Sequence, residues 1–419
     1  MTVLGAATRT VPRANRAAPV GLYVHIPFCV SLCPYCDFVV FAGAAARGPR
    51  NKCDAFLEAV HAELDLRADV LNRTFGSGRA PLDTLYLGGG TPTLLPATDL
   101  VELIGHVRER FGLADQAEIT AEANPGPDER GDPAALHAAG VTRLSLGAQA
   151  LDDATLKRLG RRHKARDVAD AVAGARRAGI HSISLDLLYD IPGGSLDAWM
   201  TTLEHALELA PDHLSLYALT LDDPDAEGLT GPDGDHLPTT AGARRWREAA
   251  RPLQDEDRAA GQYHHAVHRL AADDWHGYEI SNWARPGHES RHNLAYWERK
   301  PYEAVGPGAH AFDGVTRRWN AARLEGYLTA LTPADGSSPQ FPPGGGEDLG
   351  EATAAAERII LGLRTSRGVP VTASHEPPLD DLFGWAVATE LVDVTPDDRI
   401  VLTTRGRLLS NELFSRLIG

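Results

Sequence analysis

The sequence is poor in cysteine, with four in 419 residues. Three of the four, Cys29, Cys33 and Cys36, fall close together near the amino terminus. Cysteines grouped in this way cannot staple a large fold, which excludes the disulfide framework of small secreted domains. Their grouping instead favours metal or redox chemistry in a reducing compartment.

The sequence also lacks long apolar runs and an excess of basic residues. No uninterrupted apolar run reaches the roughly 18 residues of a membrane-spanning helix, and no apolar core of a secretory signal begins the chain. The 57 Asp and Glu residues outnumber the 41 Lys and Arg residues, and the formal net charge of −16 repels nucleic acid. We therefore expect a cytoplasmic protein without a membrane span and without a nucleic-acid partner.

The first residues differ in charge from the rest of the chain. Residues 1–19 contain Arg9, Arg13 and Arg16 but no acidic residue. Such a segment is typical either of an organellar presequence or of a frayed basic tail. We predict a flexible tail over residues 1–20 and leave the presequence open.

The pattern of residues 21–220 predicts an α/β fold. Hydrophobic residues make up 43% of the chain and charged residues 23%, as in ordinary folded proteins. Short apolar runs alternate with longer segments of helical period, which predicts βα units and a parallel sheet. The predicted strands are 22–26, 84–87, 118–121, 143–146, 182–187 and 214–219.

Polar residues and glycines are concentrated just after the predicted strands. They occur at 88–92, 122–126 and 147–149, and at Asp186 within the fifth strand. Parallel sheets of this kind bind ligands at the carboxyl ends of their strands. The sequence therefore predicts one shared site at that end of the sheet.

The spacing of the three clustered cysteines, Cys-x3-Cys-x2-Cys, suits an iron–sulfur cluster. Thiolates are the usual ligands of such clusters, and three of them leave the fourth iron of a cubane open. The alternative is a tetrahedral zinc site in which Cys53 or His25 is the fourth ligand. Cys53 lies in a helical segment without a second Cys-x2-Cys hook, which favours the cluster.

With this motif after the first predicted strand, the chain resembles the radical S-adenosylmethionine (SAM) superfamily. The resemblance implies a partial (β/α)6 barrel and a [4Fe-4S] cluster held by the three cysteines, with SAM on the open iron. It also implies a set of SAM-binding residues, among which Arg162 could replace Arg161. The set is Tyr23, Tyr35, Gly89, Gly90, Thr91, Glu122, Gln149, Arg161, Asp186 and Ala218.

Within the superfamily, segments 23–29, 85–93 and 185–189 resemble the group of oxygen-independent coproporphyrinogen III oxidase and the heme chaperones HemW. Segments 277–293 and 306–310 are similar to the chaperones. Phe38 stands where the oxidase carries a further cysteine.

The chaperone resemblance implies heme as a further ligand and delivery of heme to hemoprotein acceptors such as respiratory enzymes. The alternative is an oxidase-type radical SAM enzyme of porphyrin biosynthesis. A methyltransferase or cyclopropanase function is a more distant alternative. A homodimer is compatible with the sequence.

Heme requires a ligand or an apolar slot. We select His288, His292 and His310 as candidate heme ligands without assigning an axial ligand. Each could instead be an ordinary surface or core histidine.

We predict four units along the chain. After the tail, a radical SAM barrel with the cluster and the SAM site occupies residues 21–235, and a HemW-like α+β extension occupies residues 236–345. A Pro- and Gly-rich stretch at 337–346 then leads to a small, mostly helical, winged-helix-like unit at 346–419.

Overall fold

A computed structural model describes residues 16–49, 51–221 and 224–418. Most of the predicted tail, and with it the presequence alternative, lies outside the described residues. Among the residues described, no helix is both long enough and apolar enough to cross a bilayer.

Strands and helices alternate through the first half of the chain. Asp132, Asp152 and Ser195 each cap the helix that follows them by accepting backbone N–H groups that the helix leaves free. The elements are β1 (Gly21–Ile26), β2 (Phe28–Cys29), β3 (Phe41–Ala42), α1 (Cys53–Phe75), β4 (Leu82–Gly89), α2 (Ala97–Phe111), β5 (Leu113–Ala123), α3 (Pro133–Ala138), β6 (Arg143–Gln149), α4 (Asp153–Arg158), α5 (Ala165–Ala178), β7 (Ser182–Tyr189), α6 (Leu196–Glu208) and β8 (His213–Ala218).

Six of these strands form the predicted partial barrel. β1, β4, β5, β6, β7 and β8 pair in parallel in chain order, and the intervening helices supply the crossovers that parallel neighbours require. β1 and β8 do not pair with each other in the described sheet, because later strands of the chain border both of them. The predicted fold class is confirmed, and the barrel is open.

The two faces of the barrel strands differ sharply in polarity. Outward-facing side chains such as Leu85, Leu144 and Leu214 are fully buried against the helices. Each such side chain contributes about 1.5–3 kcal/mol through burial. The alternate, inward-facing positions carry polar side chains such as Glu122 and Asp186. The apolar core thus lies between sheet and helices, and the lumen is left for a polar site.

The extension lengthens the barrel sheet at both edges. Beyond β8 lie β10 and β9, whereas beyond β1 lie β11, β12, β13 and β14, which completes a 12-stranded sheet. Its elements are α7 (Ala241–Ala250), α8 (Glu256–Ala271), β9 (His276–Gly277), β10 (Asn282–Ala284), α9 (Arg291–Trp297), β11 (Tyr302–Val305), β12 (His310–Phe312), β13 (Thr316–Asn320), α10 (Leu324–Leu331) and β14 (Gly344–Asp348).

The end of the Pro- and Gly-rich stretch is a strand rather than a plain separator. β14 pairs antiparallel with β13, and Gly345 lies opposite Trp319. A Cβ atom at Gly345 would collide with the Trp319 ring. The glycine is therefore needed for the indole to lie across the strand.

A buried carboxylate joins the extension to the barrel helices. Glu63 in α1 accepts hydrogen bonds from Asn320 Nδ2 (2.9 Å), the Tyr327 hydroxyl (2.8 Å), Gly306 N–H (2.9 Å) and Arg67 Nη2 (3.0 Å). Its side chain is inaccessible to solvent. Because both carboxylate oxygens accept hydrogen bonds, this charge ties α1, β13 and α10 together without an uncompensated burial cost.

The last segment packs around an apolar cluster of its own, which includes Leu363, Leu379, Ile400 and Leu413. β15, β17 and β16 form a small antiparallel sheet in that order. The elements are α11 (Glu351–Arg364), β15 (Val369–Pro370), α12 (Asp380–Ala388), β16 (Val392–Val394), β17 (Arg399–Leu402), α13 (Thr404–Leu408) and α14 (Ser410–Ile418). The exact unit boundaries stay a prediction.

Candidate cofactor site

A large cavity begins at the carboxyl ends of the barrel strands. Its volume is about 670 Å³, and the cysteine loop, the barrel strands, the extension and the C-terminal unit all contribute to its wall. The predicted cluster and SAM residues line it, except Tyr23 and Thr91. Those in the wall are Cys29, Cys33, Tyr35, Cys36, Gly89, Gly90, Glu122, Gln149, Arg161, Asp186 and Ala218.

The three clustered cysteines lie in the loop after β1. β2 carries Cys29, and a turn in which the Cys36 N–H donates to the Cys33 carbonyl (3.1 Å) carries the other two. All three thiols are free. Burial raises the pKa of Cys29 to about 11 and that of Cys36 to about 12. The two sulfurs therefore stay protonated at neutral pH unless a metal centre stabilises the thiolates.

Polar groups of the barrel contact two of the sulfurs. Thr91 Oγ1 lies 3.3 Å from Cys29 Sγ, and Arg161 Nη1 donates to Cys33 Sγ at 3.4 Å. A donor and a positive charge beside a sulfur favour its thiolate form. The donor set therefore fits an anionic metal–thiolate centre.

The two residues considered as a fourth zinc ligand, Cys53 and His25, do not line the cavity. Cys53 Sγ contacts the Ala46 carbonyl (3.6 Å) outside the cavity. His25 uses Nε2 on the Val39 carbonyl (2.8 Å) and Nδ1 on the Tyr23 hydroxyl (3.0 Å), so neither proposed fourth ligand is available.

The glycine loop is held against the cysteine loop through backbone contacts. Gly90 N–H donates to the Ile26 carbonyl (3.0 Å), and Thr91 N–H donates to the Phe28 carbonyl (2.8 Å). A Cβ atom at Gly90 would lie 2.7 Å from the Phe28 carbonyl oxygen, closer than real Cβ atoms come. Gly89 adopts a φ of +104°, which favours glycine. The glycines are thus explained by close backbone packing beside the site.

Two carboxylates project inward from neighbouring parts of the barrel. Glu122 accepts from the Tyr86 hydroxyl (2.8 Å) and from Gly89 N–H (2.9 Å), and Asp186 accepts from the Ser145 hydroxyl (3.1 Å). Burial raises the pKa of Glu122 to about 7 and also raises the pKa of Asp186. Both groups suit an ammonium or a hydroxyl pair, which would compensate their desolvation.

Arg161 and Arg162 both line the cavity but differ in burial. Arg162 is exposed, whereas Arg161 is held by the Gly147 carbonyl (2.8 Å) and by Asn124. Gln149, the last residue of β6, has a φ of +65° and also lines the cavity. Of the two arginines, Arg161 is the one fixed in place.

Sequence reasoning missed several side chains of the wall, namely Tyr86, Arg143, Ser145 and Ser215. Most of them occupy the inward-facing, alternate positions of strands that were predicted correctly. Polar residues at a period of two were the available signal. Tyr23 lies one step behind the wall, with its ring centroid 6.0 Å from that of Tyr86.

The candidate heme ligands are not gathered at the cavity, since none of the three lines it. His292 is buried, with Nδ1 2.7 Å from Thr84 Oγ1 and Nε2 2.7 Å from the Tyr296 hydroxyl. Burial lowers the pKa of His292 to about 3. Both of its ring nitrogens are thus occupied by hydroxyl groups.

The other two candidate histidines lie in different places. His288 Nδ1 is 3.1 Å from Ser182 Oγ at the start of β7. His310 Nε2 is 2.8 Å from Asp235 Oδ2, and its side chain is 37% exposed. Of the three, His310 is the most accessible.

Comparison with known proteins first defines the class. The model of the radical SAM superfamily matches residues 23–206, the part of the chain that forms most of the barrel and carries the cysteine motif. The structure of coproporphyrinogen III oxidase HemN from Escherichia coli has the same fold, with a TM-score of 0.75 and 23% identity over 97% of this chain and 91% of that one.

Curated relatives then define the family. The heme chaperone HemW of Mycobacterium tuberculosis H37Rv is 37% identical over 96% of this chain and 95% of the relative. HemW of Bacillus subtilis is 31% identical over 95% of this chain and 98% of the relative, and HemW of Escherichia coli K12 is 36% identical over 70% of each. The chain belongs to the HemW family of radical SAM proteins.

Proposed function

We propose that this protein binds heme and delivers it to hemoprotein acceptors such as respiratory enzymes. Its full-length similarity to proteins named heme chaperone HemW carries the proposal. The cavity supports it, because a set of cysteines and polar side chains from most of the chain faces one space that is large enough for ligands.

We propose that Cys29, Cys33 and Cys36 hold a [4Fe-4S] cluster. The free thiols and the contacts of Arg161 and Thr91 with two of the sulfurs support this role. When bound, such a cluster with SAM supplies electron-transfer chemistry at the open iron.

The SAM site is proposed on the cavity wall beside the cysteine loop. Glu122 and Asp186 would accept hydrogen bonds from ammonium and hydroxyl groups, and Arg161 and Gln149 would orient polar ends. Gly89 and Gly90 would let the backbone approach the ligand. The proposed set is completed by two residues of the wall, Tyr35 and Ala218, and by two residues directly behind it, Tyr23 and Thr91.

Phe38 favours the chaperone over the oxidase reaction. Its side chain is 66% exposed, in the loop that carries the three cysteines, and it lines the cavity. An apolar ring there cannot replace a thiol in acid–base or radical chemistry, but it offers apolar surface to a flat ligand. His288, His292 and His310 stay predictions as heme ligands, and so does a homodimer.

The proposal can be tested by anaerobic cluster reconstitution followed by two assays. The reconstituted protein is titrated with hemin while the Soret band is followed, and apomyoglobin is then added as a general heme acceptor. In parallel, it is incubated with coproporphyrinogen III, SAM and a reductant. Stoichiometric, transferable heme without porphyrinogen turnover is expected. Turnover without heme binding would refute the chaperone function.

A further inference from the structure

The cavity extends far below the level of the cysteine loop. Arg143 is the first residue of β6, and Gln149 is the last. At about 3.3 Å per residue, the two lie roughly 20 Å apart along the strand. Both line the same cavity, as do Asn293 and Arg364 from the extension and the C-terminal unit. The cavity thus has an upper part beside the cysteines and a lower part toward the amino ends of the strands.

Arg143 is a deeply buried cation in the wall of the lower part. It is 3% exposed. Among the described residues, its one hydrogen bond is a long contact of 3.5 Å from Nη1 to Ser182 Oγ, and its Nε has no partner there. Among the described residues no carboxylate forms an ion pair with it, but the Asp186 carboxylate lies close enough to be stabilised by its charge. A guanidinium removed from water in this way is costly unless an anion approaches it.

The other arginines of the cavity are not in this situation. Arg161 is held by a sulfur, an amide oxygen and a carbonyl oxygen. Arg364 lies 3.4 Å from buried Glu279 and stacks on Trp297 at 4.4 Å. Arg162 is exposed. Among the described arginines of the wall, Arg143 therefore differs from the other three in having only one long hydrogen bond to hold its buried guanidinium.

The hydroxyl groups beside Arg143 already donate to the two inward carboxylates. The Tyr86 hydroxyl donates to Glu122 (2.8 Å), and the Ser145 hydroxyl donates to Asp186 (3.1 Å). The guanidinium of Arg143, whose Nε is unpartnered among the described residues, is therefore the donor that the lower part of the cavity offers to an incoming carboxylate.

We propose that Arg143 forms a carboxylate-binding subsite in the lower part of the cavity and takes a propionate of heme. This inference rests on the proposed heme function. A carboxylate could also come from the methionyl end of SAM. We favour heme because that end of SAM would bind beside the cysteine loop, at the other end of β6.

The test uses the reconstituted protein and two ligands, hemin and hemin dimethyl ester, which lacks the propionate charges. Wild type is expected to bind the ester about tenfold more weakly, the effect of one charge-assisted contact. R143Q is expected to bind hemin about tenfold more weakly than wild type does, and to bind hemin and ester alike. R177Q, which changes an exposed arginine of α5, is the matched control and should keep the wild-type preference.

The SAM dissociation constant is measured for the same variants. It should be the same in R143Q and wild type. A loss of SAM affinity in R143Q with an unchanged preference for hemin would assign the carboxylate to SAM and overturn the heme assignment. If R143Q does not fold, as judged by its thermal melt, R143M removes the charge while keeping an apolar stem, with the same expectations.

The outcomes separate the two proposals. Absence of hemin binding by wild type would refute the proposed function, and this inference with it. Equal binding of hemin and ester by wild type, or an R143Q variant that still prefers hemin tenfold, would refute the subsite alone.

Discussion

Arg247 holds the cysteine loop from outside the barrel. It lies in α7, is almost fully buried, and donates from Nε to the Pro34 carbonyl (3.0 Å) and from Nη2 to the Cys36 carbonyl (3.1 Å). Nη2 also lies 2.7 Å from Asp37 Oδ1. One guanidinium therefore fixes three consecutive parts of the loop that carries the proposed cluster ligands.

Replacing Arg247 by glutamine should loosen this loop rather than unfold the protein. A hydrogen bond to a charged group contributes about 1.5–3 kcal/mol, and the contact with Asp37 is discounted because that side chain is 35% exposed. A total of about 3 kcal/mol corresponds to a roughly 100-fold increase in the open population of the loop.

The assay is the alkylation rate of the cysteines by iodoacetamide in the apo-protein, read by mass spectrometry. Burial raises the pKa of Cys29 and Cys36, so the closed loop reacts slowly and opening accelerates the reaction. R247Q should react much faster than wild type and retain less iron after reconstitution. R245Q, at an exposed arginine of the same helix, should match wild type. Equal alkylation rates in R247Q and wild type would refute the conclusion that Arg247 holds the cysteine loop closed.

Three further outcomes follow from the site. C29A should lose most of the iron bound after reconstitution, whereas C53A should keep it; equal iron in C29A and wild type would exclude the proposed cluster ligands. Burial raises the pKa of Glu122 to about 7, so its ionised form is lost as pH falls. SAM affinity should therefore weaken from about pH 8 to about pH 6. E122Q should abolish this pH dependence of SAM affinity. H292A leaves the hydroxyls of Thr84 and Tyr296 without their partner and should lower the free energy of unfolding by about 2–4 kcal/mol. H310A, at a more exposed side chain, should have little effect on stability. Thermal melts of both variants test these two expectations.

The barrel was predictable because its strands are buried on one face by helices. The apolar alternation located all six strands, but it underestimated β5, which begins at Leu113 rather than near Glu118. Asp115 and Gln116 at its start interrupt the apolar pattern, so the early part of the strand gives no signal. β14 was missed for a related reason: its glycines give no apolar pattern, although they pair with β13 and Gly345 lies opposite Trp319.

The candidate site was predictable where its residues are close in sequence or follow a strand. The cysteine spacing is local, and the strand-end residues meet because parallel strands end at one edge. Arg247 could not be found in this way, because nothing in its neighbourhood reports a contact with residues 34–37. The three candidate histidines are near one another in the sequence, but the structure places them in different surroundings. Nearness in sequence was therefore not a sign of a shared site.

The contacts of Arg247 with the cysteine loop also imply an order of events during synthesis. Arg247 follows Asp37 by 210 residues. At about 5–20 residues per second, a ribosome needs roughly 10–40 s to make that interval. During this time the three thiols have left the ribosome without the helix that fixes their loop. We therefore expect metal insertion to follow completion of the extension, so that a chain stalled before α7 carries reactive thiols and no stable cluster.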